Sequence, residues 1–452
     1  MTTDATELAD LQAKVKALMG RAKTDLAQLV SFKSVADARQ FPPKGCEEAA
    51  QWVADAFAAV GLTDVGLHET PDGSKAVVAS RPAPPGAPTV VLYCHYDVQP
   101  PLGEDEWKTP VWQLTEVNGR WYGRGAADCK GNIVMLLTAL RAIGPDYPVG
   151  ITLVSEGSEE QGTGGLEQFI PQRPDLLESD AILVCDCGNI KDGIPTLTQT
   201  LRGFVNLDVH VKTLAGAVHS GMFGGPAPDA IAALIHMLSS MRDVNGNTTI
   251  DGLDNTQTWG GAQYDVDQFR KDARVLPGVD LLGSGTVADQ LWARPAVTVL
   301  GMDVPPVVGS SSAIQGHASA RINLRIPPGT KPEDARDLLE KRLRAHLPWN
   351  ADLTIDNVTL GSPFVASQAG PARDALADAM AAAYGRPTTT AGQGGSIPLC
   401  NALAETYPEA EMMLLGVEEP KCHIHAPNES VDPNEIERLA VSVGLFLKNY
   451  RV

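Results

Sequence analysis

The sequence has little positive charge and no long apolar run. Lysine and arginine number 36 against 55 aspartates and glutamates, which gives a formal net charge of −19 at pH 7. Nucleic acids and anionic membrane surfaces bind basic surfaces, so the acidic balance excludes a general role at either partner. No stretch approaches the roughly 18 uninterrupted apolar residues of a membrane span, and we expect no membrane partner.

Cysteine is also scarce. Seven cysteines, an odd number, are spread over 452 residues, which favours reduced thiols over a disulfide framework. The N-terminal stretch MTTDATELADLQAKVKALMG is polar and amphipathic, and it lacks the apolar core of a signal peptide. These features predict a cytoplasmic protein.

What is present is an alternation of strand-like and helix-like runs. Residues 5–31 and the segment CEEAAQWVADAFAAVG have helical spacing of apolar residues. Further along, TVVLYCH, VGITLVSEG and DAILVCDCG are typical of buried strands, with the helical run KGNIVMLLTALRAIG between the first two. This alternation predicts an α/β fold with a largely parallel sheet.

The pattern changes near Gly203. FVNLDVHVKT and SARINLRIPPG alternate apolar and polar residues with period two, which is typical of half-exposed antiparallel strands. A helical run follows each of them, PDAIAALIHMLSSM and KPEDARDLLEKRLRAHL. We therefore expect an α+β domain over residues 204–365, inserted between the two parts of a first domain, residues 1–203 and 366–452.

Carboxylates and histidines cluster where the predicted strands end. The residues are His95 and Asp97 after VVLYC, Glu156, Glu159 and Glu160 after ITLVS, Asp186 after AILVC, Asp128 before a helix, and His423 and His425 in HIHAPNES. Ligands of open α/β sheets bind at the carboxyl ends of the strands, so these side chains are candidates for one site.

Several carboxylates held close together raise one another's pKa, and divalent cations remove that difficulty. Two metal ions can polarise a carbonyl and supply a nucleophile at neutral pH. His95 and Asp97 are two residues apart on a strand and point the same way, so one can bind a metal while the other supports it. Each residue alone has an ordinary explanation: Asp128 could be a helix N-cap, and Glu159 and Glu160 a solvated turn. The combination favours a metal site.

The motif order HYDVQP, GRGAADCKG, SEGSEEQGT, CDCG, HSGMFGG, GGSIP and HAPNE resembles the M20 family of di-zinc metallopeptidases. The resemblance covers roughly residues 20–450 and is greatest to the cytosolic dipeptidase and carnosinase-like branch. It implies a zinc-peptidase catalytic domain with a central mixed sheet flanked by helices. It also implies that the inserted domain is a ferredoxin-like lid that mediates dimerisation.

The resemblance further implies roles for the clustered residues. One metal would be held by His95 and Asp186, the other by Glu160 and His425, with Asp128 bridging both. Glu159 would be the general base that takes a proton from the attacking water and later delivers it to the departing amine. Asp97 would hold His95 in the correct tautomer. Zinc is the expected metal, with manganese or cobalt as alternatives.

Three residues are implied on the substrate side. His219 in HSGMFGG would enter the active site of the other subunit of a homodimer and stabilise the oxyanion. Arg325 would bind the substrate's free carboxylate, with Arg321 as the alternative arginine, and Ser396 would assist there.

The sequence departs from the family pattern beside two of these motifs. Cys129 follows Asp128 where many relatives have Asp or Asn, and we expect a cis peptide bond between them, as the family often has. Gly392 and Gln393 stand where close dipeptidase relatives tend to have a charged pair. The cysteines beside the metal motifs are interpreted as small buried thiols, with a soft-metal or redox role as the alternative.

The expected function is hydrolysis of dipeptides or short peptides that have a free C-terminal carboxylate. The alternative within the same fold is hydrolysis of N-acyl amino acids or related amides. A catalytically silent binding protein would have lost a metal ligand or the base, and none is missing here. A two-metal phosphatase would need more phosphate-binding side chains near the motifs than Lys130 and Arg124.

Overall fold

The computed structural model describes residues 4–145 and 147–451 and divides the chain into two compact units. The first unit comprises Met1–Gln199, Ala366–Ala391 and Pro398–Val452. The second unit comprises Thr200–Val365 and the short segment Gly392–Ile397.

The α-helices are α1 (Ala5–Ser31), α2 (Lys44–Ala59), α3 (Lys130–Ile143), α4 (Gly165–Phe169), α5 (Ser220–Phe223), α6 (Ala230–Ser239), α7 (Val266–Asp272), α8 (Pro332–His346), α9 (Pro371–Tyr384), α10 (Pro398–Thr406) and α11 (Pro433–Asn449). The strands are β1 (Asp64–Glu69), β2 (Lys75–Arg81), β3 (Thr89–His95), β4 (Thr115–Val117), β5 (Arg120–Tyr122), β6 (Gly150–Glu156), β7 (Ala181–Cys185), β8 (Thr196–Leu201), β9 (Gly203–Lys212), β10 (Val218–His219), β11 (Ala296–Asp303), β12 (Ala313–Ile314), β13 (His317–Ile326), β14 (Asp352–Gly361), β15 (Phe364–Val365), β16 (Thr389–Gln393), β17 (Glu411–Leu415) and β18 (Ser430–Val431).

The first unit is built on a mixed sheet, as the family resemblance implied. Its strands follow the order β1-β2-β6-β3-β7-β17-β8. The middle strands β6, β3, β7 and β17 are parallel, and the strands on either side are antiparallel. Because parallel strands end at the same edge, the residues that follow β3, β6 and β7 are brought together there.

Helices pack around this sheet and bury its strands. Every residue of β7 and all of β3 after Thr89 is buried, which explains why these strands are apolar throughout rather than alternating. The helices α1, α3, α9 and α11 pack against one another, with Leu26, Val134 and Leu439 fully buried. The predicted helix over residues 5–31 is confirmed: α1 has these bounds, and Asp4 caps it by accepting a hydrogen bond from the backbone N–H of Thr6.

The second unit contains an antiparallel sheet in the order β11-β13-β9-β14. The period-two pattern of residues 204–213 is confirmed, because burial alternates along β9. Val205, Leu207 and Val209 are fully buried on the face that α6 and α8 cover. The other face carries Phe204 and a series of polar side chains.

None of the helices in the described residues is both long and apolar enough to cross a membrane.

Candidate metal centre

His95 lies at the last position of β3 and is completely buried. Its Nε2 atom is 3.0 Å from Oδ1 of Asp128 and 3.1 Å from Oδ1 of Asp186. Asp186 directly follows β7, the parallel neighbour of β3. The ends of β3 and β7 therefore bring together the first pair of predicted ligands, and the loop before α3 places the predicted bridging residue beside them.

The other oxygen of Asp128 faces a second histidine. Its Oδ2 atom is 2.9 Å from Nε2 of His425, and the same Nε2 is 3.1 Å from Oε2 of Glu160. Asp128 thus directs one oxygen to each histidine, as a carboxylate that bridges two metal ions must do.

The donor set suits divalent transition metals. The ligand atoms of His95, Cys129 and Asp186 lie within 4.8 Å of one another, and so do those of Asp128, Glu160 and His425. Imidazole nitrogens and carboxylate oxygens in groups of this size fit zinc, manganese and cobalt, and the thiol adds a ligand that zinc accepts. The residues present therefore fit two ions.

Asp97 contacts His95 on the opposite side of the imidazole ring from Asp128 and Asp186. Nδ1 of His95 is 3.1 Å from the backbone oxygen of Asp97 and 3.3 Å from its Oδ1. The carboxylate of Asp97 also accepts hydrogen bonds from the backbone N–H groups of Glu159, at 3.2 Å, and Glu160, at 3.0 Å. One buried side chain therefore fixes both the imidazole and the turn that carries the two glutamates.

Glu429 is a residue that sequence reasoning missed. Its carboxylate, which is fully buried, accepts hydrogen bonds from the backbone N–H groups of Gly125, Ala127 and Asp128, and it pairs with Arg124 at 2.7 Å. The loop that presents Asp128 is thereby anchored to the segment that carries His425. The available signal was the position of Glu429 within the HAPNE motif.

Two further polar residues contact the predicted ligands or lie beside them. Nε2 of Gln99 donates to Oε2 of Glu160 over 2.7 Å. Glu418 is buried, accepts a hydrogen bond from Asn132 over 2.6 Å, and can form a third acidic group with Asp128 and Asp186. Gln99 lies within the HYDVQP motif, whereas Glu418 has no sequence signature that separates it from an ordinary loop residue.

The expected cis peptide bond is present between Asp128 and Cys129. None of the seven cysteines, all of which lie in the described part of the chain, forms a disulfide. Six of them are buried, which agrees with small packing thiols. Cys129 also donates from Sγ to the backbone oxygen of Cys185 over 3.0 Å.

The cluster shifts the protonation of its own members. Burial on its own lowers the pKa of His425, but the carboxylates of Asp128 and Glu160 outweigh it and raise that pKa to about 11. Burial, and then the charge of Asp128, raise the pKa of Glu160 to about 7. Burial and the charge of Asp186 raise the pKa of Glu159 well above its usual range. Without cations, the cluster therefore retains protons that a metal ion would displace.

The remaining predicted residues belong to the second unit. His219 ends β10, is exposed, and accepts a hydrogen bond at Nδ1 from the backbone N–H of Gly221. Arg325 lies on β13, and Ser396 follows β16. The alternative arginine, Arg321, makes two hydrogen bonds of 2.7 Å to the carboxylate of Asp208.

Known proteins are similar to this chain in sequence and in fold. A family model described as Peptidase family M20/M25/M40 matches residues 91–449. A cysteinylglycine-S-conjugate dipeptidase from Corynebacterium striatum is 44% identical over 412 residues, which cover 89% of this chain and 90% of the relative. A Beta-Ala-His dipeptidase from Homo sapiens is 27% identical over 86% of this chain and 82% of its own length.

Solved structures agree on the fold. Human carnosine dipeptidase 1 superimposes with a TM-score of 0.79 at 23% identity, covering 98% of both chains. The dipeptidase Dug1p from Saccharomyces cerevisiae gives a TM-score of 0.81 at 20% identity over the same share of each chain. The extent of the family match and the 44% identity leave one conclusion: the chain is a member of the M20/M25/M40 peptidase family.

Proposed function

We propose that this protein hydrolyses the amide bond of dipeptides that carry a free C-terminal carboxylate, with the help of two divalent metal ions. The observation that carries the proposal is Asp128, whose two oxygens lie 3.0 and 2.9 Å from Nε2 of His95 and of His425. The relatives support the substrate class, since the similar proteins from Corynebacterium striatum and Homo sapiens are named as dipeptidases.

The residues that would hold the ions follow from the two groups. His95 and Asp186 would bind one ion, Glu160 and His425 the other, and Asp128 both. Bound ions would supply Lewis-acid polarisation of the substrate carbonyl and lower the pKa of water. Zinc is the proposed metal, because two histidines and three carboxylates suit it, and manganese and cobalt can use the same ligands.

Glu159 is proposed as the proton carrier. It lies beside Glu160, is held by the hydrogen bond between its backbone N–H and Asp97, and has a pKa raised by burial and by Asp186. A carboxylate with a raised pKa can accept a proton from water and return it to the departing amine, which needs both protonation states near neutral pH. Asp97 is proposed to keep the Nε2 atom of His95 free for the metal by binding the Nδ1 side.

Residues of the second unit are proposed to bind the substrate. Arg325 is favoured over Arg321 for the substrate carboxylate, because Arg321 is already neutralised by Asp208 at 2.7 Å. Ser396 would donate a hydrogen bond to the same carboxylate. His219, supplied by the other subunit, would stabilise the oxyanion of the tetrahedral intermediate.

A homodimer is proposed from the family resemblance and from one exposed strand of the second unit. In the described part of the chain, β11 is the outer strand of its sheet, and its side chains Leu300 and Met302 are 58% and 41% exposed. An outer strand with exposed apolar side chains is a surface that a second copy can cover. Sedimentation of the wild type and of a Leu300→Lys, Met302→Lys variant tests whether this strand forms the dimer interface.

A cytoplasmic location is proposed because the cysteines form no disulfides.

The function is tested with a substrate panel on the purified chain after metal analysis. The panel contains Ala-Ala, β-Ala-His, an S-conjugate of Cys-Gly, and N-acetyl amino acids. We expect cleavage of dipeptides and its loss after chelation. Preference for the acetylated series would establish the N-acyl amino acid hydrolase instead. No cleavage of any amide by a metal-loaded chain would indicate a binding protein.

A further inference from the structure

The segment that carries the two proposed catalytic glutamates has a permissive backbone. Glu159 and Glu160 begin a single helical turn between β6 and α4, and we call residues 158–163 the glutamate segment. Gly162 and Gly164 follow the turn with φ angles of 58° and 70°, in the left-handed region that glycine adopts readily. Because glycine fixes its own backbone so weakly, the position of the segment depends on contacts with other parts of the first unit.

Asp72 makes one of these contacts from the turn between β1 and β2. Its Oδ2 atom accepts a hydrogen bond from the hydroxyl of Thr163 over 2.5 Å, across a sequence separation of 91 residues. Its Oδ1 atom accepts local hydrogen bonds from the hydroxyl of Thr70, at 2.7 Å, and from the backbone N–H of Ser74, at 3.0 Å. An aspartate that only shapes its own turn needs the local bonds alone. The bond to Thr163 therefore has another role.

The carboxylate of Asp72 stays ionised in this environment. Burial on its own raises the pKa of Asp72, but the hydrogen bonds from Thr163 and Thr70 outweigh burial and hold that pKa well below its usual range. Hydrogen bonds to an ionised carboxylate are about twice as strong as bonds between neutral groups. The contact with Thr163 is therefore a firm one at neutral pH.

The same turn also holds the other end of the glutamate segment. The hydroxyl oxygens of Ser74 and Ser158 are 2.9 Å apart, and Ser158 is buried. Ser158 is the first residue of the segment, and Thr163 is the last. The β1–β2 turn thus contacts the chain on both sides of the two glutamates.

A third contact joins the start of β2 to the chain beside His95. The hydroxyl of Tyr96, which is buried, donates to the backbone oxygen of Lys75 over 2.7 Å. A Cβ atom on Gly157 would clash with that hydroxyl, so Tyr96 packs against the backbone directly before the glutamate segment. One hairpin therefore contacts the chain at the ends of both β3 and β6.

We propose that Asp72 is a positioning residue that, through Thr163 and together with the contact between Ser74 and Ser158, fixes the glutamate segment for catalysis. This rests on the proposed function and adds a residue that touches neither the substrate nor a proposed metal ligand. Asp97 holds the backbone N–H groups of the two glutamates, and Asp72 holds the ends of the same segment. Restraint at several points matters because misplacing a catalytic group by about 1 Å can cost about 10²-fold in rate.

The first test measures kcat and KM for Ala-Ala at saturating metal. For Asp72→Ala and Thr163→Val we expect kcat to fall about 10- to 100-fold and KM to change less than about threefold, because the proton carrier is misplaced while substrate binding is kept. Thr163→Ser retains the hydroxyl and should stay close to the wild type. The matched control is Asp254→Ala, since Asp254 accepts hydrogen bonds from the backbone N–H and the hydroxyl of Thr256 in a turn of the second unit.

Three results would overturn the proposal. The first is an equal kcat in Asp72→Ala and Asp254→Ala. The second is a Thr163→Ser variant as slow as Thr163→Val, because the hydroxyl would then have no role. The third is a fall in turnover that only follows a fall in the folded fraction, which thermal unfolding of each variant measures.

The second test does not depend on hydrolysis. Amide hydrogen exchange, followed by mass spectrometry on peptides that cover the glutamate segment, is measured on the purified full-length chain without added metal. Exchange in this segment should be at least about tenfold faster in Asp72→Ala and Thr163→Val than in the wild type, Thr163→Ser and Asp254→Ala. Equal exchange in all variants would overturn the positioning role. If exchange separates the variants while no dipeptide is cleaved, the positioning of the segment stands and the proposed function fails.

Discussion

The carboxylate of Asp97 accepts a hydrogen bond of 3.0 Å from the backbone N–H of Glu160. The same carboxylate is 3.3 Å from Nδ1 of His95, so one side chain positions a residue from each of the two metal groups. Neither contact requires Asp97 to touch a metal or a substrate. We therefore expect Asp97 to affect catalysis by positioning these two residues.

Replacing Asp97 by Asn should weaken the centre without unfolding it. We expect metal affinity or turnover to fall about 10- to 100-fold, the usual effect of removing a partner of a metal-binding histidine. Competition with a chelator of known affinity gives the first quantity and steady-state rates the second. Asp180→Asn is the matched control, because Asp180 accepts a backbone hydrogen bond from Thr89 at the opposite end of β3. Equal losses in both variants would contradict a specific role for Asp97.

The neighbours Glu159 and Glu160 should respond differently to the same change. Glu159→Ala removes the proposed proton carrier, and turnover should fall by about 10²- to 10⁴-fold with metal content intact. Glu160→Ala removes a proposed ligand, and bound metal should be lost from one of the two sites. Elemental analysis of both purified variants distinguishes these outcomes. Loss of metal in Glu159→Ala would mean that base and ligand have been confused.

Metal binding should release protons. In the metal-free chain the pKa of His425 is raised to about 11, so at pH 6 to 8 its imidazole is protonated and a metal must displace that proton. The apparent metal affinity should therefore rise by at least about tenfold for each pH unit in this range. Calorimetric titrations in buffers of different ionisation enthalpy measure the protons released. His425→Gln should release fewer protons, and an affinity independent of pH would contradict the assignment.

Loss of the Glu429 carboxylate should destabilise the first unit. Glu429→Gln leaves Arg124 without its counter-charge and weakens the hydrogen bonds to the loop that carries Asp128. Breaking a buried charge pair in this way costs about 3–5 kcal/mol. The measurement is thermal unfolding of the metal-free chain, with Glu116→Gln as the control variant. Glu116 is 49% exposed and pairs with Lys23 at the surface, so its loss should lower the unfolding temperature much less than the loss of Glu429 does.

Sharing of His219 between subunits can be tested by mixing two inactive variants. His219→Ala should reduce turnover while keeping bound metal. Randomly mixed with Glu159→Ala, it should recover about a quarter of wild-type turnover, because half of the dimers contain one complete site out of two. No recovery, with dimer exchange verified by sedimentation of tagged chains, would contradict the arrangement across subunits.

Much of the local structure could be predicted because the relevant signals are local. The apolar run of β3 and the helical spacing of α1 lie within single elements, and both elements have the bounds expected from the sequence. The antiparallel strands β1 and β2 were not predicted, since β1 (DVGLHE) mixes polar and apolar residues without a buried run. The tendency of parallel strands to end at one edge also predicts that His95 and Asp186 lie close together.

The support of the site could not be predicted in the same way. Glu429 contacts the backbone of Asp128 across a sequence separation of 301 residues, and its place in the HAPNE motif does not indicate which residues it contacts. The burial of Arg202 depends on packing against Gln393 and Gln290, which only the folded chain brings together. The division of the predicted ligands into two groups was predicted from the family resemblance and not from the spacing of the residues in the sequence.

The contact between Asp128 and His425 joins positions 297 residues apart, and this has a consequence for synthesis. A ribosome that has translated β3, α3 and β7 has made most of the acidic cluster but not the imidazole that completes its second half. Until that late segment emerges, the nascent chain presents like charges without their second histidine. The proposed centre can therefore be completed only after the segment that carries His425 has been translated, and chains released before that point should accumulate as metal-poor, aggregation-prone fragments.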